Sequence, residues 1–282
     1  MKNLFIIIAI CLFLPTVSKS QYLEFGIIGG FSTYSGDLNP TTQRISHGEF
    51  RYSVGGFLRY NLGSYFTAKF AVSAGRLSAR DYDSLDPARK ARNLQFKSTF
   101  IENALSLEYN ILGYDPIFMT KRVSPYIFAG IGMVYFNPKA LYNGEWVELQ
   151  PLNTEGQGLP EFPARKPYKK VAIAFPFGFG LKVALSNKFN IGFEAGVRKT
   201  TTDYIDDVST TYVADEIMNE TLGPISFQLA NRSGIRKETG DIRGNPESND
   251  WYAIGGLTMS YNLSSSNKYG KRKRRGIGCP TF

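Results

Sequence analysis

One histidine, His47, stands in a polar stretch after Arg44, and it is the residue best suited by its ordinary pKa to acid–base chemistry near neutrality. Catalysis of acyl transfer would also need a serine and an acid, or paired acids, patterned around it, and no such arrangement is present. No catalytic residue is assigned on this basis, and the chain is expected not to be an enzyme. Asp203, Asp206 and Asp207, within TTDYIDDVSTTY, could present carboxylate oxygens to Ca²⁺. The same spacing suits a loop base organised by Asx turns and threonine hydroxyls. No P-loop, dinucleotide fingerprint or zinc spacing occurs, so no metal, cofactor or small-molecule substrate is expected.

The C-terminal stretch 264–282 carries a different chemistry. Lys268, Lys271, Arg272, Lys273, Arg274 and Arg275 occur there without an acid, in a chain of net charge +9. Such a run can dock on an acidic partner, meet anionic lipid or stay solvated. Cys279 follows in a Gly-Cys-Pro context, the one thiol left if the N-terminal segment with Cys11 is removed. An odd thiol in an oxidising compartment points to an intermolecular disulfide or a free thiol.

That compartment is implied by the first twenty residues. Lys2 and Asn3 precede an apolar run from Leu4 to Leu14, then Pro15 and the small residues Ser18 and Ser20. The pattern is that of a signal peptide spanning 1–20, with Gln21 as the first mature residue and an apolar core too short to span a bilayer as a helix. Export removes nucleic acid from the candidate partners. No later segment reaches the ~18 consecutive apolar residues of a membrane helix. The 28 Gly, 17 Tyr and 21 Phe instead suit strands that alternate aromatic and small residues.

Alternation with period two predicts eight strands: Tyr22–Gly36, Phe50–Leu62, Tyr65–Leu77, Ser98–Ile111, Val123–Phe136, Val171–Leu185, Phe189–Lys199 and Trp251–Leu263. The clearest places Val171, Ile173, Phe175, Phe177, Phe179, Leu181, Val183 and Leu185 on one face, with small residues opposite. Val123–Phe136 is the poorest, being apolar on both faces. Elsewhere the face opposite the apolar one holds charge. Glu24, Glu102, Glu108 and Glu194 stand against Arg51, Arg59, Lys69, Lys182 and Arg198, a set that nearly cancels.

Paired charges suit the interior of an eight-stranded antiparallel transmembrane barrel, which is too narrow for an aqueous channel. A soluble sandwich with the same charges in solvent is the alternative. The last strand favours the membrane. Trp251 and Tyr261 share a face ten residues apart, about 23 Å along the normal at ~3.3 Å per residue and a tilt near 45°, as two interfacial aromatic girdles require.

Short connections at Asn61–Ser64 and Ser186–Lys188 alternate with long ones at Asp37–Glu49, Ala79–Lys97, Asn137–Lys169 and Thr200–Asp250. The Leu112–Arg122 link is long for the short side. The expected organisation is a barrel over 21–263 with long extracellular loops, both termini in the periplasm and a basic periplasmic tail over 264–282.

Several stretches together resemble the PorG-like family: YSGDLN at Tyr34–Asn39, RYN at Arg59–Asn61, RNL at Arg92–Leu94 and SPYIFAG at Ser124–Gly130. FNPKA at Phe136–Ala140, LQPLNTEGQG at Leu149–Gly158, RKTTTDYIDDV at Arg198–Val208 and the Cys279-Pro280 ending complete the set, which covers nearly the whole mature chain. The resemblance implies an outer-membrane barrel of the type IX secretion machinery, which in many species also serves gliding motility. It implies association with the periplasmic ring of a PorK-type lipoprotein and a PorN-type protein. No active site comes with it. The expected role is an anchor or organiser of the ring, with Lys271, Arg272, Lys273, Arg274 and Arg275 holding an acidic ring surface and Cys279 locking it. A passive adhesin-like or membrane-stabilising barrel, acting through its external loops and held by outer-membrane lipids, is the alternative.

Overall fold

The computed structural model describes residues 22–38 and 50–263. The expected signal peptide, His47, the basic run Lys271–Arg275 and Cys279 lie outside the described residues. Nine strands are formed among them: β1 (Tyr22–Ser35), β2 (Arg51–Asn61), β3 (Phe66–Arg80), β4 (Gln95–Asn110), β5 (Val123–Tyr142), β6 (Glu145–Glu148), β7 (Val171–Ala184), β8 (Phe189–Thr200) and β9 (Trp251–Asn262). Eight of them close a ring in the order β1-β2-β3-β4-β5-β7-β8-β9, every pairing antiparallel, with β9 returning to β1 from Glu24↔Asn262 to Ser35↔Trp251. Closure leaves no unpaired edge, which is what a sheet needs where water cannot satisfy its backbone.

The alternation read from the sequence faces as expected. Ile27, Leu105, Phe179 and Leu257 point outward and are 63, 58, 59 and 72 % exposed. Apolar side chains at that exposure around a whole circumference are stable only in lipid. Tyr52, Tyr135 and Trp251 mark one limit of this band and Tyr60, Tyr109 and Tyr261 the other. No described helix is long and apolar enough to cross a membrane. The fold is an eight-stranded antiparallel transmembrane β-barrel.

Three features of these elements have physical causes. β5 continues to Tyr142 and turns through Asn143-Gly144, both with positive φ, into β6, so a two-residue hairpin rises above the barrel where a long loop was expected. The poor alternation of β5 reflects its inward face, where Tyr126, Phe128, Val134 and Phe136 are buried in place of charges. The long Leu112–Arg122 link folds back on the barrel and buries Tyr114 to 1 % exposure at the short-turn end.

Room for inward aromatics comes from glycines on facing strands. A methyl group on Gly26 would overlap the Phe57 ring, and one on Gly180 would overlap Tyr126. At the loop end Leu77, Phe96, Phe100, Val134, Phe136 and Ile254 of the barrel share one apolar core with Ile205 and Val208 of the 201–250 connection. The long connections therefore fold over the mouth as a cap. It includes the helices Pro87–Arg92 and Pro224–Ala230.

Candidate functional site

The lumen is filled in layers. Nearest the short turns, Arg59 of β2 is 1 % exposed and meets Glu24 at 2.9 Å, Glu108 at 3.0 Å and Glu194 at 3.5 Å. Lys69 lies 2.5 Å from Glu194, and Lys182 lies 2.5 Å from Glu108 and donates to Asn110 at 3.0 Å. Tyr126 donates to Glu194 at 2.6 Å. The cations also rest on rings: Arg59 lies 4.3 Å from the centroid of Phe57, and Lys182 lies 4.6 Å from that of Tyr126. A second layer joins Arg198 to Glu102 at 3.3 Å, with Tyr252 donating to the same carboxylate.

Four buried acids thus face four buried cations, Arg59, Lys69, Lys182 and Arg198. Buried charges persist only when paired, and each of these acids has a cation within 3.5 Å, while Glu24 Oε2 is left without a hydrogen-bond partner. Between the two layers a cavity of about 20 Å³ remains, bordered by Ser73, Ser106, Lys69, Glu194 and Arg198, which is room for a single water. Arg51 does not join the network. It is half-buried at the loop-end rim, where its Nε donates to Ser78 at 2.7 Å, because it opens its strand above the level at which the facing acids lie.

The cap is built on a second set of buried charges. Glu155 accepts from Arg243 at 2.8 Å, from the Ser209 N–H at 2.9 Å and from the Thr210 hydroxyl at 2.7 Å. Asp207 accepts from Thr154 at 2.5 Å and Tyr168 at 2.6 Å, with Arg243 at 3.7 Å. Asp250 accepts from Tyr34 at 2.5 Å and from the Ile205 N–H at 2.8 Å, and Asp206 accepts from the Leu38 and Val208 N–H groups. Arg92 chelates Asp81 at 2.7 Å through two nitrogens and donates to the Asp37 carbonyl at 3.1 Å. Tyr168 stacks between Phe136 and Tyr204 across the mouth.

Burial pushes Asp203 and Asp206 up to about 8, their mutual repulsion and that of Asp37 adding to it. Asp250 is raised by the same burial and by Asp206, whereas Arg243, Thr154 and Tyr168 restrain Asp207 to about 6. Asp206 and Asp207 are therefore hydrogen-bonded braces of the cap, Asp203 is buried beside them, and no group of described residues has the arrangement of a metal site.

The stretches that carry the family resemblance converge here. Tyr34, Asp37, Arg92, Leu94, Phe136, Glu155, Asp206 and Asp207 come from five separate segments and meet in the cap and the core under it. Sequence periodicity does not reach Arg243, Asp250 or Asp81, which lie in connections without alternation. A sequence signal did exist for the β5–β6 turn, the Asn-Gly pair between Leu141 and Trp146. On the outer face of the cap a cleft of about 380 Å³ opens between the helix Pro87–Arg92 and residues 233–245.

Fold and site together define a sealed membrane barrel under a folded cap, with no constellation for catalysis among the described residues. The chain belongs to the family described as a domain of unknown function, DUF6089, which matches residues 2–223. No curated protein matches it in sequence. Solved structures similar to it include Ail, the attachment invasion locus protein of Yersinia pestis, in complex with the heparin analogue sucrose octasulfate. That match has 9 % identity and a TM-score of 0.41, and covers 86 % of this chain and 99 % of that one. Neisserial surface protein A matches at 10 % identity and 0.42, covering 85 % and 96 %, and the outer membrane protein OprG from Pseudomonas aeruginosa at 12 % and 0.35, covering 87 % and 98 %. The similarity is one of architecture, and the barrel assignment itself rests on the closed strand order and the apolar exterior.

Proposed function

We propose that this chain is a non-enzymatic outer-membrane component of the type IX protein secretion machinery, anchoring or organising the periplasmic ring of PorK-type lipoprotein and PorN-type protein. The observation that carries the reading is the closed lumen: two charged layers, an apolar layer and a cap leave no path for a solute or a chain. Such a barrel serves as a membrane-held support. The machinery itself is suggested by the resemblance of the ordered sequence stretches to PorG-like proteins. In this reading the short-turn end faces the periplasm, Lys271–Arg275 hold an acidic ring surface and Cys279 locks the contact as a disulfide.

Deletion of the gene is expected to abolish export of proteins bearing the C-terminal type IX signal while membrane integrity stays intact; normal export in the deletion strain overturns the reading. Pull-down of the ring lipoprotein should weaken when the five basic residues are neutralised. Nonreducing gels of native membranes should show a crosslinked species that Cys279→Ser removes.

The cap cleft favours a second reading, a barrel that acts through its external loops. Arg89 and Lys237 line that cleft beside Ile235 and Ile242, the last two 61 and 83 % exposed. Loss of surface adhesion with export unchanged would select it.

A further inference from the structure

The outer surface of the barrel carries a third set of charges, and these are not balanced. Where the apolar band ends on the loop side, Arg76 lies over the Tyr52 ring at 5.2 Å, Lys97 over Trp146 at 5.0 Å and Lys199 over Trp251 at 5.4 Å. β3 and β4 pair Arg76 with Thr99 and Ser78 with Lys97, which makes the outward side chains of Arg76 and Lys97 diagonal neighbours. Arg51 reaches the same rim through its bond to Ser78. Among the described residues none of these four cations forms an ion pair, in contrast to the lumen.

Arg51, Arg76 and Lys97 adjoin one another on β2–β4, whereas Lys199 lies away from them on β8, and like charges so placed are unfavourable unless an anion joins them. The position decides which anion. On the same strands, past Ala74 and Thr99 toward the membrane centre, the outward Val54, Val72 and Ile101 are 59, 41 and 47 % exposed. They stand at acyl-chain level, and the cations above them stand at headgroup level. We propose that the β2–β3–β4 rim is a binding site for the phosphate of an anionic membrane lipid. Arg76 and Lys97 hold the phosphate, and an acyl chain lies along Val54, Val72 and Ile101. Arginine offers a phosphate two parallel donors and lysine a point charge, so the pair suits a tetrahedral phosphate oxyanion. The inference rests on the membrane barrel and is independent of any role in secretion.

The test uses the purified full chain in nanodiscs of phosphatidylcholine, with and without lipid A, and counts lipid retained on the protein by native mass spectrometry. Lipid A is expected to be retained in preference to phosphatidylcholine, and Arg76→Gln with Lys97→Gln to reduce that retention about tenfold or more. Lys121→Gln, at the opposite end over Tyr65, should leave it unchanged. Undiminished retention in a double variant that still migrates as a folded barrel overturns the proposal. Where the double variant does not fold, Lys97→Gln alone decides by the same criterion. Equal capture of soluble inositol hexakisphosphate in lipid-free micelles, lost in the same variant, would assign the rim to soluble polyanions and also overturn it.

Discussion

Arg59 holds the lower charged layer together, because Glu24, Glu108 and Glu194 all lie within 3.5 Å of its guanidinium. Replacing it with methionine leaves acids buried without their shared partner, which costs about 3–5 kcal/mol. Urea unfolding of the refolded barrel, followed by tryptophan emission, should show that loss, and adding Glu24→Gln should recover part of it. Equal stability of wild type and Arg59→Met would mean that the lysines carry the layer alone. In the cap, Asp203 and Asp206 have values raised from 3.8 to about 8, so the folded cap binds protons that the unfolded chain has released. Their contribution to its stability is therefore fully present below about 4 and is lost as pH rises through 8. Proteolysis within the 201–250 connection should be slower at mildly acid than at alkaline pH, and Asp206→Asn should flatten the difference. A cap cut faster in acid would contradict this. Of these residues, the lumen charges were legible because a strand alternates, and one inward charge implies its neighbours two positions away. Arg51 was misread by the same rule, since parity says which way a side chain points but not how high its strand begins.

At the scale of elements, β5 and the Leu112–Arg122 link were the two features that alternation described poorly, and both carry the closure. β5 turns Tyr126 and Phe128 into the lumen, where the rings need the space left by glycines on other strands. Gly180→Ala places a methyl group against Tyr126 and should destabilise the barrel by about 1–3 kcal/mol, as overpacking of a filled core does. In a heat-modified gel shift that reads the loss in Gly180→Ala, Gly29→Ala, whose new methyl meets nothing within 4 Å, should be silent. Were both variants equally stable, Tyr126 would have an alternative seat. The link's excess length is explained by Tyr114, which it folds into the barrel end beside Lys182. Neither fact is visible along one strand, because the glycine and the ring it admits lie far apart in sequence.

For the whole molecule, closure at several independent levels predicts no stable ohmic conductance in planar bilayers. The same is expected after removal of 201–249, because the Arg59 and Arg198 layers lie below the cap. An open channel in the shortened chain would show that the cap alone seals the lumen. The strand number, the lipid-facing sides and the near-neutral lumen follow from the sequence, since lipid outside and a narrow interior inside impose opposite chemistry on successive residues. Tertiary structure alone decided the rest. Asp206 and Asp207 become a brace of the cap because Arg243, Tyr34, Tyr168 and Thr154 arrive from other segments. Segments without periodicity acquire partners through the order in which strands close the barrel, and that order brings together residues no local pattern connects.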